Sequence, residues 1–543
     1  MDSTPATAFP AAAVPAAGKA APRGGGNAVE DQGPRPRRAR PPAGVVLAAS
    51  LVAAASLIPL GFVVVMTITT GWDAAIALIF RQRTLELLGN TLALAVITVP
   101  LCIVLGVGGA WLVERTSLKG NKAWAVLLAA PLAIPAFVNS YAWVSAVPNL
   151  QGIFSGVLIA TLSYYPLVYI PIAATLSRMD PAIEQSAASL GLGAWRVFFR
   201  VVTPQLRIAT SGGALLVALH LLAEYGAFAM IRFDTFTTAI MEQYRSTFSG
   251  AAGNMLASVL VAVCLVLLVA EARLRGDARY ARIGSGVQAT PARLALGRWQ
   301  APAQLGLLAL AVVAVGVPLW MTIAWASQGG GAIWETRELA GALGSSLWLG
   351  VLGAVVTTVV AFPLAFLAVR FPGWLSRTLE LSNYVTSSMP GIVLALAFVT
   401  VALRAIPGVY QTTGLLVAAY VLLFLPRALV NLRAGLAQAP KELEEAAQAL
   451  GKPPLLAFSR VTLRLVAPAA AGGAALVFLA VVNELTATLL LSPLGTKTLA
   501  TEFWSLSSEI DYVGAAPYAL LMIALSAPMT YLLFQQSKKA AGQ

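Results

Sequence analysis

Glu224 and Glu484 each stand inside a long apolar run, at equivalent places in two similar stretches of chain. An ionisable side chain is costly in a bilayer, so a carboxylate retained there points by default to a pathway or a proton site. The plainer alternative is an interhelical hydrogen bond, or a position near the outer face where water reaches the group. His220 is the only histidine, which excludes a histidine-rich metal site, and no metal ligand set is assigned. It precedes Glu224 by four residues, a spacing that puts both on one helix face, and packing or a local hydrogen bond is expected of it. Gly495-Thr496-Lys497-Thr498 has the ending of a phosphate-binding loop. The glycine required five residues earlier is replaced by Leu490, so no nucleotide site follows and no catalytic residue is assigned.

A second chemistry is docking. Glu184-Gln185-Ser186-Ala187-Ala188-Ser189-Leu190-Gly191 continues through Trp195, Phe198 and Phe199 to Val201-Val202-Thr203-Pro204. Glu444-Glu445-Ala446-Ala447-Gln448-Ala449-Leu450-Gly451 continues through Phe458 to Val461-Thr462-Leu463-Arg464. Alanine and glutamate favour a helix, and the glycine can take the left-handed conformation that ends it. Each stretch therefore reads as a short amphipathic helix, a turn and a second amphipathic segment. The product is a compact knob whose small apolar residues suit a partner's groove. The alternative is a pair of hairpins that merely connect helices. Two copies at a fixed spacing argue against it.

These residues need elements to position them. The chain has 543 residues, 58% hydrophobic and 11% charged, less than half the charge of an ordinary globular chain. Continuous apolar runs of 18 residues or more recur, each long enough for a helix to cross about 30 Å of hydrocarbon. The runs do not alternate as barrel strands do. The reading is an all-α polytopic membrane protein of about twelve spans. They are placed near 44–68, 89–113, 123–147, 153–176, 208–230 and 253–271, then 303–326, 343–369, 380–403, 414–430, 466–490 and 515–534. With both termini cytoplasmic, only Arg81, Arg83, Arg232, Arg245, Arg337, Arg404 and Lys497 of the 36 basic residues fall on outer segments. That asymmetry satisfies the positive-inside rule and accounts for the net charge of +13 without nucleic acid. Residues 1–43 read as a disordered basic cytoplasmic tail that touches lipid at most, 44–271 and 301–534 as two lobes, 272–300 as a cytoplasmic linker and 535–543 as a second tail. Cys102 and Cys264 fall in apolar runs and read as packing residues. Tyr141, Tyr164, Tyr165 and Tyr169 suggest interfacial anchoring or helix packing, with pathway lining as the alternative. Pro131, Pro135, Pro166, Pro171, Pro390 and Pro426 are expected to kink spans.

The two lobes are copies. Leu88-Gly89-Asn90-Thr91-Leu92 matches Leu343-Gly344-Ser345-Ser346-Leu347, Arg115 matches Arg370 and Pro135 matches Pro390, all at an offset of 255. Beyond a five-residue insertion, Gly191 matches Gly451, Gly212-Gly213 matches Gly472-Gly473 and Glu224 matches Glu484. Six spans per copy make the repeats parallel, with a pseudo-twofold axis along the membrane normal.

The two knobs resemble the Glu-Ala-Ala loop of ABC importer permeases, the loop that docks into the cytoplasmic ATPase. Glu445-Ala446-Ala447 and Gly451 fit its pattern, with Arg464 in place of a proline. The first copy keeps Ala187, Gly191, Val201 and Pro204, with Gln185-Ser186 for Glu-Ala. Asn483-Glu484-Leu485-Thr486-Ala487-Thr488, Thr498-Leu499-Ala500, Ala223-Glu224-Tyr225-Gly226 and Phe236-Thr237-Thr238-Ala239-Ile240 resemble fused ferric-iron permeases, with Thr486 where proline is usual. The resemblance implies a type I importer fold in the bacterial inner membrane, without its own ATPase site or cofactor. It implies two copies of a separate ATP-binding subunit and a periplasmic or lipid-anchored binding protein. For a ferric ion, the oxygens of Glu224 and Glu484 would be suitable transient ligands. Thiamine or phosphonate permeases share much of this pattern. A gradient-driven transporter would favour inverted repeats, and a membrane enzyme would need a polar catalytic cluster.

Overall fold

The computed structural model describes residues 41–245, 250–275, 293–334, 336–387 and 389–540. The expected tail up to residue 40, the middle of the linker (276–292) and residues 541–543 lie outside them. Among the described residues nine helices are long and apolar enough to cross a membrane, and three bent pairs raise the count to twelve. They fall in the same order in both halves. The first half has Ala43–Ser56 with Ile58–Thr70, Gln82–Arg115, Asn121–Ala133 with Ala136–Ala146, Gly152–Arg178, Trp195–Ala223 and a sixth helix, Gly250–Arg275. The second has Gly297–Gln328, Arg337–Arg370, Trp374–Thr386 with Gly391–Ala405, Thr413–Ala437, Pro454–Val482 and Tyr512–Ala540.

Four of the six prolines separate into two groups, while Pro131 lies in a 3-10 turn and Pro166 opens the helix Pro166–Arg178. Pro171 and Pro426 are carried inside helices that continue past them, as membrane helices allow when neighbours satisfy the freed carbonyl. Pro135 and Pro390 instead start new helices, with ψ of 142° and 143°. The third span of each half is therefore broken, by 90° and 100°, where a continuous span with a kink was expected. Proline supplies no N–H and forces the residue before it out of helical geometry.

The halves interlock. Ala43–Ser56 packs on Arg337–Arg370 and Trp374–Ser387, whereas Val317–Gln328 packs on Ala136–Ala146. Each first span thus leans on the other half. A shared core joins them, with Phe62, Met66 and Phe137 of the first half against Ile392, Leu485 and Phe503 of the second. Phe137 and Phe503 have ring centroids 5.6 Å apart, Tyr225 and Trp504 5.2 Å, and the Tyr141 hydroxyl donates to the Tyr512 carbonyl at 2.6 Å. Such offset aromatic pairs add stabilisation beyond their buried area. Tyr141, Tyr164, Tyr165 and Tyr169 are all buried, which selects packing over interfacial anchoring. Within each half, small residues let helices close up, since lipid gives no hydrophobic drive between them. A Cβ on Gly213 would stand 2.9 Å from Val168 Cα, and one on Gly473 would stand 3.4 Å from Ala428 Cα. The repeat places the same contact in both halves.

Candidate coupling loops and the joint between the halves

Pro181–Ser189 and Lys441–Ala449 form the two short helices. The Asp180 carboxylate accepts from the Ala182 amide to cap the first, while Pro440 precedes the second. Both end alike. The Gly191 and Leu192 amides donate to the Ala188 and Ala187 carbonyls, and the Gly451 and Lys452 amides donate to Gln448 and Ala447. These are Schellman closures, which require a left-handed residue. Gly191 has φ 85° and Gly451 φ 82°. The turn presents Leu190 and Leu450, each 83% exposed, on the tip of its knob. Ile183 and Leu443 are also exposed, as are Trp195 and Leu455 at matching positions. Ala187 and Ala447 are half-buried beneath, and Gln185, Glu445 and Ala446 face outward.

The second amphipathic segments differ in sequence but share one irregularity. Phe198–Val202 and Phe458–Thr462 are π-turns at the same offset. Phe198 packs on Trp111 at 5.8 Å and Phe458 on Phe366 at 5.7 Å, so each turn is anchored to the second span of its half. Pro204 lies just past the first π-turn, inside the continuous fifth span Trp195–Ala223. Arg464 stands exposed in its place in the second half.

Sequence reasoning missed where Glu184 and Glu444 point. Glu184 Oε1 lies 2.9 Å from the Arg115 guanidinium, and Glu444 Oε2 lies 3.7 Å from that of Arg370. The Thr462 hydroxyl also donates to Glu444 Oε2 at 2.8 Å. The side chains of both arginines, 3% and 7% exposed, are covered at the ends of the 34-residue second spans. Burial pushes the Glu184 carboxyl above its ordinary range despite the attraction of Arg115. The one available signal was the match of Arg115 with Arg370 in the repeat.

Glu224 and Glu484 sit at helix breaks, where positions inside spans were expected. The fifth spans end at Ala223 and Val482. Each carboxylate then turns back to cap a short helix, accepting from the Ala227 and Ala487 amides, both at 2.9 Å. The Glu224 amide still donates to the His220 carbonyl at 2.9 Å, but with Glu224 capping the helix end the two side chains connect only through a third residue. The Tyr164 hydroxyl donates to Glu224 Oε2 at 2.5 Å, and the His220 ring packs 5.4 Å from the Tyr164 ring. His220 Nδ1 is 2.8 Å from the Leu216 carbonyl, a local bond.

The two breaks meet. A Cβ on Gly226 would lie 2.8 Å from Phe137 and 2.9 Å from Leu485 of the other half, a contact only glycine permits. A Cβ on Gly391, directly after Pro390, would lie 3.5 Å from Glu484 Oε1. The ends of the fifth spans and the break of the second half's third span thus converge where the halves join. Glu484 lies within electrostatic reach of both Glu224 and Arg427. Arg427 lies over the Phe424 ring at 5.2 Å and is exposed. It was overlooked in the sequence, although it is the lone charge deep in its apolar run. Gly495, with φ 82°, makes an ordinary turn there. Lys497 pairs with Glu502 at 3.2 Å, and that hydrogen bond raises its pKa.

Two interlocked copies of a helical membrane unit, each presenting a matched knob, have the architecture of an ABC importer permease. Residues 358–540 match the family model described as binding-protein-dependent transport system inner membrane component. The chain is 34% identical over 497 residues to an Fe(3+)-transport system permease protein of Haemophilus influenzae, covering 91% of this chain and 98% of that one. It is 22% identical over 403 residues to a ferric transport system permease protein of Actinobacillus pleuropneumoniae, covering 70% and 58%. A sulfate transport system permease protein of Synechocystis is 28% identical over 200 residues, covering 33% and 72%. The chain belongs to the binding-protein-dependent transport system inner-membrane component family, as a fused two-half member. It is a multi-pass inner-membrane protein, and its family works with ATP-binding and substrate-binding partners.

Proposed function

We propose that this chain forms the whole membrane pathway of an importer that carries ferric iron from a periplasmic or lipid-anchored binding protein to the cytoplasm. Two copies of a separate subunit hydrolyse the ATP, one beneath each knob. The observation that carries this reading is the matched pair of outward knobs, with Leu190 and Leu450 equally exposed above Gly191 and Gly451. Near full-length similarity to a permease named for Fe(3+) supports the cargo. The excess of basic residues on the knob side supports a cytoplasmic location for the knobs and both termini. Residues 44–271 and 301–534 are the two lobes, joined through 272–300. Glu184, Gln185, Ala187, Gly191, Pro204, Glu444, Glu445, Ala446, Ala447 and Gly451 build the docking surfaces. Glu224 and Glu484 line the pathway at the joint, where their hard oxygens suit a ferric ion in transit.

The test is reconstitution with the ATPase in vesicles. Iron-loaded binding protein should stimulate ATP hydrolysis and move iron inward. Stimulation by thiamine-loaded or phosphonate-loaded protein, with none by the iron form, would reassign the cargo.

A further inference from the structure

We propose that Arg115–Glu184 and Arg370–Glu444 are matched struts that carry the movement of each docking knob into the second span of its half. This rests on the knobs docking an ATPase. Each knob is joined through the chain only to the fourth and fifth spans, Gly152–Arg178 and Trp195–Ala223 in the first half. The second span has no such link; beside the ring contacts of Trp111 with Phe198 and of Phe366 with Phe458, the ion pair ties it to the docking helix itself. At 34 residues it is about 50 Å long, well beyond the bilayer core, so a push at its inner end reaches the far side.

Stability does not explain these pairs. A buried ion pair seldom repays the desolvation of its charges. Arg115 Nε and Nη1 and Arg370 Nη2 are buried without a hydrogen-bond partner among the described residues. At Glu184 the contact has ionic distance without hydrogen-bond alignment. Both halves keep the pair at matching places even though the knobs differ at Gln185 and Glu445, at Trp195 and Leu455, and at Pro204 and Arg464. Neighbouring bonds extend each strut. Thr462, the last residue of the second π-turn, joins Glu444 to the root of the fifth span. In the first half the Leu294 amide donates to the Arg115 carbonyl at 2.9 Å, and the Ser117 amide donates back to Leu294 at 2.9 Å. The described end of the linker is thereby tied to the same point.

The experiment uses the full permease–ATPase complex in vesicles, supplied with iron-loaded binding protein. It reads iron moved per ATP hydrolysed, ATPase affinity and thermal unfolding. Arg115→Gln and Arg370→Gln should keep the ATPase bound while iron moved per ATP falls about two- to thirty-fold, the range of mutations along a coupling network. Exchanging the charges, Arg115→Glu with Glu184→Arg, should recover most of that loss. If the exchange does not fold, Arg115→Cys with Glu184→Cys, joined by a reducible bifunctional thiol cross-linker that spans the length of the two lost side chains, should be coupled, and uncoupled once reduced. Loss of coupling only in step with loss of ATPase affinity or of folded protein would overturn the proposal, as would a cross-linked cysteine pair no better coupled than the reduced one. The wild-type complex separates this outcome from failure of the functional reading. If iron-loaded protein leaves wild type unstimulated the cargo is wrong, whereas the strut is judged on the variants' ratio to wild type with whichever cargo stimulates.

Discussion

Replacing Gly191 by asparagine, alanine and valine in turn tests whether backbone geometry sets the docking surface. Gly191 has φ 85°, and a Cβ placed there meets nothing within 4 Å. Inside this chain the cost is therefore conformational and not steric. A residue with a Cβ pays roughly 1–2 kcal/mol in the left-handed region, and asparagine pays less because its short polar side chain bonds locally. Valine, β-branched, is a true outlier there. One or two kcal/mol is about a five- to thirty-fold change in population. It falls on a nine-residue helix whose last turn depends on the closure of Gly191 and Leu192 onto Ala188 and Ala187. The affinity of the ATPase for purified permease should fall in the order Gly, Asn, Ala, Val. Gly193, with no left-handed φ and open space around it, is the control, and Gly193→Ala should be nearly neutral. If asparagine weakens binding more than alanine, bulk against the ATPase decides, and the backbone argument fails. If Gly193→Ala costs as much as Gly191→Ala, the special geometry has no role.

Glu445→Ala should weaken ATPase association more than Gln185→Ala, since a charge-assisted bond is roughly twice as strong as a neutral one and both side chains are exposed; equal losses would mean that the halves dock alike. Glu224→Gln with Glu484→Gln should slow iron transport and spare assembly, because the amide oxygen still caps Ala227 and Ala487, whereas Glu→Ala should also cost about 1 kcal/mol of stability per lost cap. Unchanged uptake by the double Gln variant would remove both residues from the pathway. Burial holds the Glu184 carboxyl above its ordinary range, so its ionised form is disfavoured in the folded protein. As pH falls from neutral through that raised value, protonation adds stability but ends the attraction to Arg115. Iron moved per ATP should then drop without a drop in unfolding temperature, and Glu184→Gln should flatten the profile. A parallel fall of both readouts in wild type would contradict this.

The apolar runs, the twofold repeat and the two knobs are legible in the sequence because each depends on local or periodic properties. A run of apolar residues must become a helix in lipid, where every backbone group needs a partner within its own segment. Gly191 and Gly451 mark helix ends because few other residues adopt the conformation that closes them. Tertiary structure alone decided the rest. Pro171 and Pro426 are as visible in sequence as Pro135 and Pro390, yet of these four only the latter pair breaks its span. Nothing in the composition of Ala43–Ser56 says that it leans on the opposite half, because a uniformly apolar helix carries no label for its partner. The repeat aligned Arg115 with Arg370 and Glu184 with Glu444. Pairing each arginine with its glutamate required the fold to bring the end of the second span beneath the knob. Glu224 and Glu484 were legible as unusual charges, but their role as helix caps came from chain breaks that the fold places where the halves meet.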